Sequence, residues 1–359
     1  MNSQLISISR RTDIPAFYGD WFMRRVAEGF AGWENPFGGR RQLVSLQRAD
    51  VWCLAFWSKN FRPFLPHVRT LQQLGYPCFF NYTITGLPPA FETHTVPTED
   101  AIDSLRALAR QFSPEHIHWR YDPIILSERT PVDYHLARFA GLAAALQGHV
   151  TRCIVSFVWR YSKVERNFAA LEHAQDFHIF EPDINERRQL AQQLAENAAR
   201  HGIALYSCCG DELVNNGRTL CNRKEGPRQS RGPTCATGTS GTPARTSIPP
   251  SCAYIRRAHC LDGETIARLY PGGAGSPAEH PTRPGCGCAK NVDIGRYDTC
   301  PHGCVYCYAN INKPRADTCH QAHDPAAAFL GYTKAESDRF VAELRTEKER
   351  DPQMDLPLL

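Results

Sequence analysis

The sequence has few features of an exported or membrane-bound protein. Residues 1–7 lack the basic region and the long apolar stretch of a signal peptide. No run approaches the roughly 18 apolar residues that a membrane-spanning helix needs. These absences predict a cytoplasmic protein with no membrane partner.

Concentrated basic runs and internal repeats at a fixed period are absent too. The 41 Lys and Arg residues against 37 Asp and Glu residues leave a formal charge of only +4. This mild charge permits nucleic acid or another anionic partner without requiring one. The apolar content of 42% and charged content of 22% are typical of a globular protein with a substantial core.

Cysteine, in contrast, is abundant, with 15 residues in 359. In a reducing compartment, an odd number of this size indicates metal ligation more than disulfide bonding. Cys300, Cys304 and Cys307 are separated by three and then two residues, a spacing that holds one face of a [4Fe–4S] cluster and leaves one iron open. Zinc is the alternative, because Cys304 and Cys307 also have the spacing of a zinc-ribbon knuckle. A ribbon needs a second such pair, and the single residue between Cys286 and Cys288 fits that role poorly.

Other cysteines indicate a second metal site. Cys208, Cys260, Cys286 and Cys288 together could hold an auxiliary [4Fe–4S] cluster or a structural zinc ion. The choice between Cys208 and its neighbour Cys209 stays open. Three more cysteines fall among apolar residues where inert core packing is expected, namely Cys53, Cys78 and Cys153.

Six short runs of apolar, β-branched or aromatic residues predict strands. They are residues 5–9, 51–57, 78–83, 117–121, 153–159 and 203–207. Helical patterns separate them, and alternating strands and helices favour a parallel sheet. We therefore predict an α/β fold that is TIM-barrel-like and partial, with about six β/α units and a C-terminal cysteine-rich iron–sulfur module. A full eight-unit barrel and an open doubly wound sheet stay open.

Four of the helices have clear signals. An apolar stripe follows Thr98, another helix starts after Thr130-Pro131, a third runs to Gly202, where a left-handed C-cap is expected, and residues 332–349 form a charged surface helix.

Composition divides the chain into four parts. They are a barrel-like domain at 1–221, a flexible insertion at 222–251, the cysteine-rich module at 252–320 and a C-terminal helix and tail at 321–359.

Polar residues follow all six predicted strands, at the edge where a barrel carries its active site. Those that could contact a substrate or cofactor are Arg10, Arg11, Lys59, Arg120 and Asp122. Such a ring suits an anionic small molecule, because arginine grips carboxylate or phosphate with two nitrogens. The alternative is structural: Arg10 or Arg11 with Asp13, and Arg120 with Asp122, would then be ion pairs that fix loops.

Two resemblances rest on these residues. Cys300-x3-Cys304-x-Tyr306-Cys307 resembles the cluster motif of radical S-adenosylmethionine enzymes, and its continuation Tyr308-Ala309 resembles the spore photoproduct lyase branch. A longer resemblance is to the uncharacterised bacterial family known as domain of unknown function 1848. It is carried by residues 7–15, 56–60 and 293–300.

The radical-enzyme resemblance implies that Cys300, Cys304 and Cys307 ligate the cluster and that Tyr306 lies near the adenine of S-adenosylmethionine. It also implies a reductase, ferredoxin or flavodoxin as electron donor, and reductive cleavage of the sulfonium to a radical that takes hydrogen from the substrate. We assign cofactor binding to Arg10 and Arg11 as well. Lys59, Arg120 and Asp122 are the candidate catalytic residues.

In those enzymes the cluster loop follows the first barrel strand. Only about 50 residues follow Cys307 here, too few for a barrel whose units each take about 30 residues. A barrel must therefore precede the motif, in a permuted order. Two other functions stay open. One is an electron carrier with Cys286 or Cys288 as fourth ligand, and the other is a zinc-stabilised binding module.

Overall fold

The structure is a computed structural model that describes residues 3–215, 253–273, 275, 278–281 and 285–350. The predicted insertion at 222–251 and the end of the predicted tail, from 351 on, lie outside the described residues.

Strands of the described part form one large sheet and two small ones. In chain order they are β1 Gln4–Ile8, β2 Phe30–Glu34, β3 Arg41–Ser45, β4 Val51–Ser58, β5 Cys78–Thr83, β6 Ile117–Ile124, β7 Leu126–Ser127, β8 Arg152–Phe157, β9 Ile179–Phe180, β10 Ala204–Ser207, β11 Ile255–Arg257 and β12 Val292–Asp293. The large sheet has eight parallel strands in the order β11-β10-β8-β6-β5-β4-β1-β12. The small sheets pair β2 with β3 and β7 with β9, both antiparallel.

The helices of the described part include all four that the sequence predicts. In chain order they are α1 Ile14–Phe17, α2 Gly19–Glu28, α3 Leu65–Gln73, α4 Thr98–Gln111, α5 Val132–Leu146, α6 Ser162–Gln175, α7 Ile184–Arg200, α8 Gly263–Leu269, α9 Lys313–Ala322 and α10 Lys334–Arg350. Gly202, after α7, has the expected positive φ of 71°. None of the described helices is both long and apolar enough to cross a membrane.

The strand order is compatible with a TIM-barrel-like fold. From β1 through β11, strands that follow one another in the large sheet are neighbours in chain order, and β12 lies on the other side of β1. The six predicted strands are confirmed as β1, β4, β5, β6, β8 and β10. The prediction of about six units was too small, because β11 and β12 also join the sheet. These two strands have three and two residues, too few to form a recognisable apolar pattern.

The two faces of the sheet are covered differently, as the alternation of side chains along a strand allows. Ile6 and Ile8 of β1 pack in the main core, together with apolar residues from α2 to α5 and from α7. Leu5, on the opposite face, packs in a second core that contains Ile266 of α8 and several cysteines. This second face therefore carries the predicted second cysteine set.

Candidate functional site

The Asp293 carboxylate holds β12, the strand that precedes the cysteine motif, beside β1. Asp293 of β12, paired with Ser7 in the sheet, accepts hydrogen bonds from Ser7 Oγ at 2.8 Å, Ser9 Oγ at 2.5 Å and the Arg10 N–H at 2.8 Å. Burial raises the pKa of Asp293, but Arg10 and Arg11 outweigh it, so the pKa lies below its usual range. The motif loop consequently starts from a well-defined position at the carboxyl ends of β12 and β1.

The motif loop itself is held to three other parts of the fold. His302 Nε2 lies 2.7 Å from Asp13 Oδ2, and Asp13 also accepts the Ala16 N–H at the start of α1. Further contacts are Asn167 Nδ2 of α6 donating to the Val305 carbonyl at 2.8 Å and the Tyr308 hydroxyl donating to the Arg10 carbonyl at 2.7 Å. These contacts fix the loop against α1, α6 and the end of β1.

Cys300, Cys304 and Cys307 come together on this loop. Cys304 is buried, and the other two are half-buried. Burial raises the pKa of Cys304 to about 12, although the Lys59 ammonium acts in the opposite direction. Burial also raises the pKa of Cys300 and of Cys307, and for Cys300 the two neighbouring cysteines add to the effect. The Cys307 sulfur accepts the Ala309 N–H at 3.3 Å.

Lys59 lies beside this loop in a buried polar network. Its Nζ is 2.8 Å from Glu92 Oε1, which also accepts the Thr85 hydroxyl at 2.7 Å and the Tyr306 hydroxyl. Burial lowers the pKa of Lys59, but Glu92 outweighs it and raises the pKa above its usual value. Burial likewise raises the pKa of Glu92, and Lys59 outweighs it, so this pKa is lowered. Lys59 and Glu92 therefore form an ion pair next to Cys304.

Arg120 and Asp122 lie on the second face of the sheet, and Asp122 is near enough to Lys59 to add to the rise in its pKa. Arg120 donates to Asp122 through Nη2 and to the Cys260 sulfur through Nη1 at 2.8 Å. Asp122 also accepts the Ser156 hydroxyl. The ion pair of Arg120 with Asp122, the structural alternative for these two residues, is present. Both side chains contact the second cysteine set or each other instead of the motif loop.

The two remaining candidates, Arg10 and Arg11, diverge from each other. Arg10 Nε lies 3.6 Å from Asp293, and its Nη2 donates to Asn291 Oδ1 at 2.9 Å. Arg11 places its guanidinium 5.5 Å from the centre of the Tyr297 ring. Arg10 is thus part of the junction between β1 and β12, and Arg11 packs against an aromatic ring.

The second cysteine set also comes together. Cys208 and Cys260 have their sulfurs 3.3 Å apart, and Cys288 contacts both Cys260 and Cys286. Contact with Cys208 lowers the pKa of Cys260, but Cys288 and burial raise it to about 12. Contact with Cys260 lowers the pKa of Cys288, but Cys286 and burial raise it to about 11. Across the ranges that the structure describes, no three His, Cys, Asp or Glu side chains are already arranged to hold a metal ion.

Sequence reasoning missed three residues of the motif's surroundings, namely Glu92, Asp13 in its contact with His302, and Asp293. Glu92 lies in an irregular segment after β5, where no spacing marks a buried carboxylate. Asp293 could have been noticed as a carboxylate seven residues before Cys300 within the longer resemblance. Its partners on β1 depend on the sheet order, which only the fold provides.

Fold and site define a parallel α/β protein with one cysteine loop beside the carboxyl end of an edge strand and a second cysteine set in the second core of the sheet. The chain belongs to the family described as Domain of unknown function (DUF1848), whose model matches residues 5–224 and 237–309. No curated protein matches the chain.

Proposed function

We propose that the protein is an iron–sulfur enzyme of the radical S-adenosylmethionine type. The observation that carries the proposal is the parallel pairing of β12 with β1, through Ile6 with Val292 and Ser7 with Asp293. If β12 is counted as the first strand, the neighbours that follow are β1, β4, β5, β6, β8, β10 and β11. The cysteine loop then follows the first of eight consecutive parallel strands. A circular permutation of the radical-enzyme barrel would have this order.

The residues around the loop fit a three-thiolate cluster. Three cysteines share one anchored loop, with Cys304 buried and Cys300 and Cys307 half-buried, which limits the access of water to a reduced iron–sulfur centre. The Ala309 N–H donates to the Cys307 sulfur, and hydrogen bonds of this kind stabilise cluster thiolates. Lys59 places a positive charge near Cys304, where ligation would create negative charge. The fit supports Cys300, Cys304 and Cys307 as the ligands.

When bound, a cluster with one open iron supplies an electron to the sulfonium of S-adenosylmethionine. The protein's own contribution is position. Glu92 holds the Lys59 ammonium and the Tyr306 hydroxyl through one oxygen, which places the Tyr306 ring 5.7 Å from Lys59 Nζ. The ring is therefore fixed beside the cysteines, where an adenine could pack against it.

The substrate we propose is a small or anionic molecule that enters beside the motif loop. Exposed aromatic rings lie there, with Trp159 and Tyr161 stacked at 6.4 Å and Tyr161 6.5 Å from Tyr308. Arg10 lies near Tyr308 and is therefore the candidate residue best placed to contact such a molecule. The proposal includes a reductase, ferredoxin or flavodoxin as electron donor, and a cytoplasmic location, because that compartment keeps thiols reduced.

The test is low-temperature EPR of anaerobically purified, dithionite-reduced protein, recorded with and without S-adenosylmethionine. The expected result is a reduced [4Fe–4S] signal that shifts when S-adenosylmethionine is added. Cys304→Ala should abolish it. Cys153→Ala is the control, because Cys153 is also buried but lies in β8 within the main core, and it should keep the signal.

Two outcomes would contradict the proposal. A cluster signal that S-adenosylmethionine leaves unchanged would favour the electron carrier instead. Protein without iron, in which zinc disappears on changing Cys304, would favour the zinc-stabilised module.

A further inference from the structure

Separate chain segments bring four cysteines to one buried place outside the motif loop. Cys208 follows β10, Cys260 follows β11, and Cys286 and Cys288 lie a few residues before β12. All four are buried in the second core, among residues such as Leu261 and Ile266. Individual buried cysteines are common core residues. Convergence of four from separated segments calls for a shared role.

The sulfur atoms form a chain of contacts. Cys208 and Cys260 lie 3.3 Å apart, well beyond the roughly 2 Å of a disulfide bond. Cys288 continues the chain from Cys260 to Cys286. The Cys288 sulfur also accepts the Leu261 N–H at 3.5 Å. Among the described residues, no three of these side chains are already arranged around a position where a metal ion would bind.

A positive charge accompanies these sulfurs. Arg120 is 7% exposed, and its Nη1 lies 2.8 Å from the Cys260 sulfur. A buried guanidinium beside a thiol of an otherwise apolar core compensates negative charge that thiolates would bring. Since Asp122 occupies the other side of Arg120, the arginine is held in this position.

The backbone of the Cys286–Cys288 segment approaches its neighbours closely. A Cβ atom on Gly287 would lie 2.9 Å from His259 Nε2, so a larger residue here would require the His259 ring to shift. The Ala289 N–H donates to the Leu261 carbonyl at 3.0 Å, which fastens this segment to the turn that carries Cys260. The backbone hydrogen bond between Ala289 and Leu261 therefore helps to hold Cys288 beside Cys260.

We propose that Cys208, Cys260, Cys286 and Cys288 bind one zinc ion that joins the ends of β10 and β11 to the segment before β12. Each thiol would release its proton to solvent as its sulfur binds the ion, and Arg120 would offset part of the resulting charge. The ion would link the two edges of the large sheet, because β11 and β12 are its outermost strands among the described residues.

The sulfur spacing favours zinc over a second iron–sulfur cluster. A zinc ion with four sulfurs at about 2.3 Å sets neighbouring sulfurs about 3.8 Å apart. The sulfurs of Cys208 and Cys260, two of the proposed ligands, lie 3.3 Å apart here. A cubane places four irons and four sulfides between its ligands, which would force the thiolates much further apart. To place all four sulfurs around one ion, the cysteine side chains would have to change rotamer, and their sulfurs are already in contact along the series from Cys208 to Cys286.

Metal content tests the site separately from the proposed function. Zinc and iron per chain would be measured by mass spectrometry for the wild type and for Cys260→Ala, Cys288→Ala, Cys304→Ala and Cys153→Ala. We expect about one zinc per chain in the wild type, Cys304→Ala and Cys153→Ala, and a roughly tenfold loss in Cys260→Ala and Cys288→Ala. Since Cys304→Ala removes only the motif-loop site, failure of either proposal leaves the other testable.

Zinc retained in Cys260→Ala would overturn the site, and so would iron that is lost specifically with Cys260 or Cys288. If these variants do not fold, Cys304→Ala can be stripped of zinc with a chelator and loaded with Co²⁺. Thiolate-to-cobalt charge-transfer absorption and the d–d bands of a tetrahedral complex are expected, and their absence would overturn the assignment.

Discussion

Lys59 Nζ lies 2.8 Å from Glu92 Oε1, and both side chains are largely withdrawn from water, with exposures of 13% and 6%. Lys59 follows β4, and Glu92 belongs to the irregular segment after β5, so the pair joins two neighbouring loops. Tyr306 of the cysteine motif donates to the same carboxylate oxygen. This one carboxylate therefore connects the segments after β4 and β5 to the motif loop.

Removal of either charge should destabilise the protein more than removal of both. Glu92→Gln leaves the Lys59 ammonium buried without its counter-charge, and we expect the free energy of unfolding to fall by about 3 kcal/mol. Lys59→Met should cost a similar amount, because it strands the carboxylate. The double variant Lys59→Met/Glu92→Gln should lose less than either single variant, and therefore less than the sum of the two losses. Urea unfolding of the four proteins measures this, and strictly additive losses would show that the pair is not coupled.

Asp293 offers a second test, at the junction of β1 and β12. Asp293→Asn replaces one acceptor oxygen by an NH₂ group, which would face donors such as the Ser7 and Ser9 hydroxyls or the Arg10 N–H. We expect a loss of about 2 kcal/mol in the free energy of unfolding. Asp133→Asn on the exposed side of α5 is the control and should change it by less than about 0.5 kcal/mol. Equal effects would mean that the junction does not contribute to stability.

His135 should make the protein less stable in acid. It accepts the Tyr121 hydroxyl at Nδ1 and donates from Nε2 to the Ile125 carbonyl, each at 2.8 Å, so the neutral ring satisfies both nitrogens. Burial lowers the pKa of His135 from 6.5 to about 4, although the carbonyl acts in the opposite direction. The unfolded chain therefore binds more protons between these values, and stability is lost as the pH falls through them.

Between about pH 6.5 and about pH 5 this effect amounts to about 2 kcal/mol. Denaturant unfolding of the wild type and of His135→Gln at about pH 7.5 and about pH 5 would measure it. His135→Gln should have a lower free energy of unfolding than the wild type at the higher pH, but that free energy should fall less on acidification. Identical losses in both proteins would assign the acid sensitivity to other groups.

Sequence patterns predicted the strands and helices that have a regular apolar pattern. β4 and β5 are apolar runs of eight and six residues, and α4 and α7 have helical periodicity with clear ends, so local patterns locate them. β11 and β12 have three and two residues and exist because neighbouring strands offer hydrogen-bond partners. The spacing of Cys300, Cys304 and Cys307 predicted the motif, and the positions of other cysteines along the chain suggested the second set. The distances within that set, and the position of Glu92, depend on long-range packing that no local pattern encodes.

Gly202 allows a prediction that isolates backbone conformation. It ends α7 with φ at 71°, and a Cβ added there would meet no atom within 4 Å. Gly202→Ala therefore introduces conformational strain without a steric clash, and we expect it to lower the free energy of unfolding by about 1 kcal/mol. Gly141, inside α5, has equally open space where a Cβ would be added, but its φ is helical. Gly141→Ala should raise the free energy of unfolding by up to about 1 kcal/mol, because alanine favours the helix interior. Thermal and urea unfolding of both variants would compare the two, and a stabilising Gly202→Ala would show that α7 does not end in a left-handed cap.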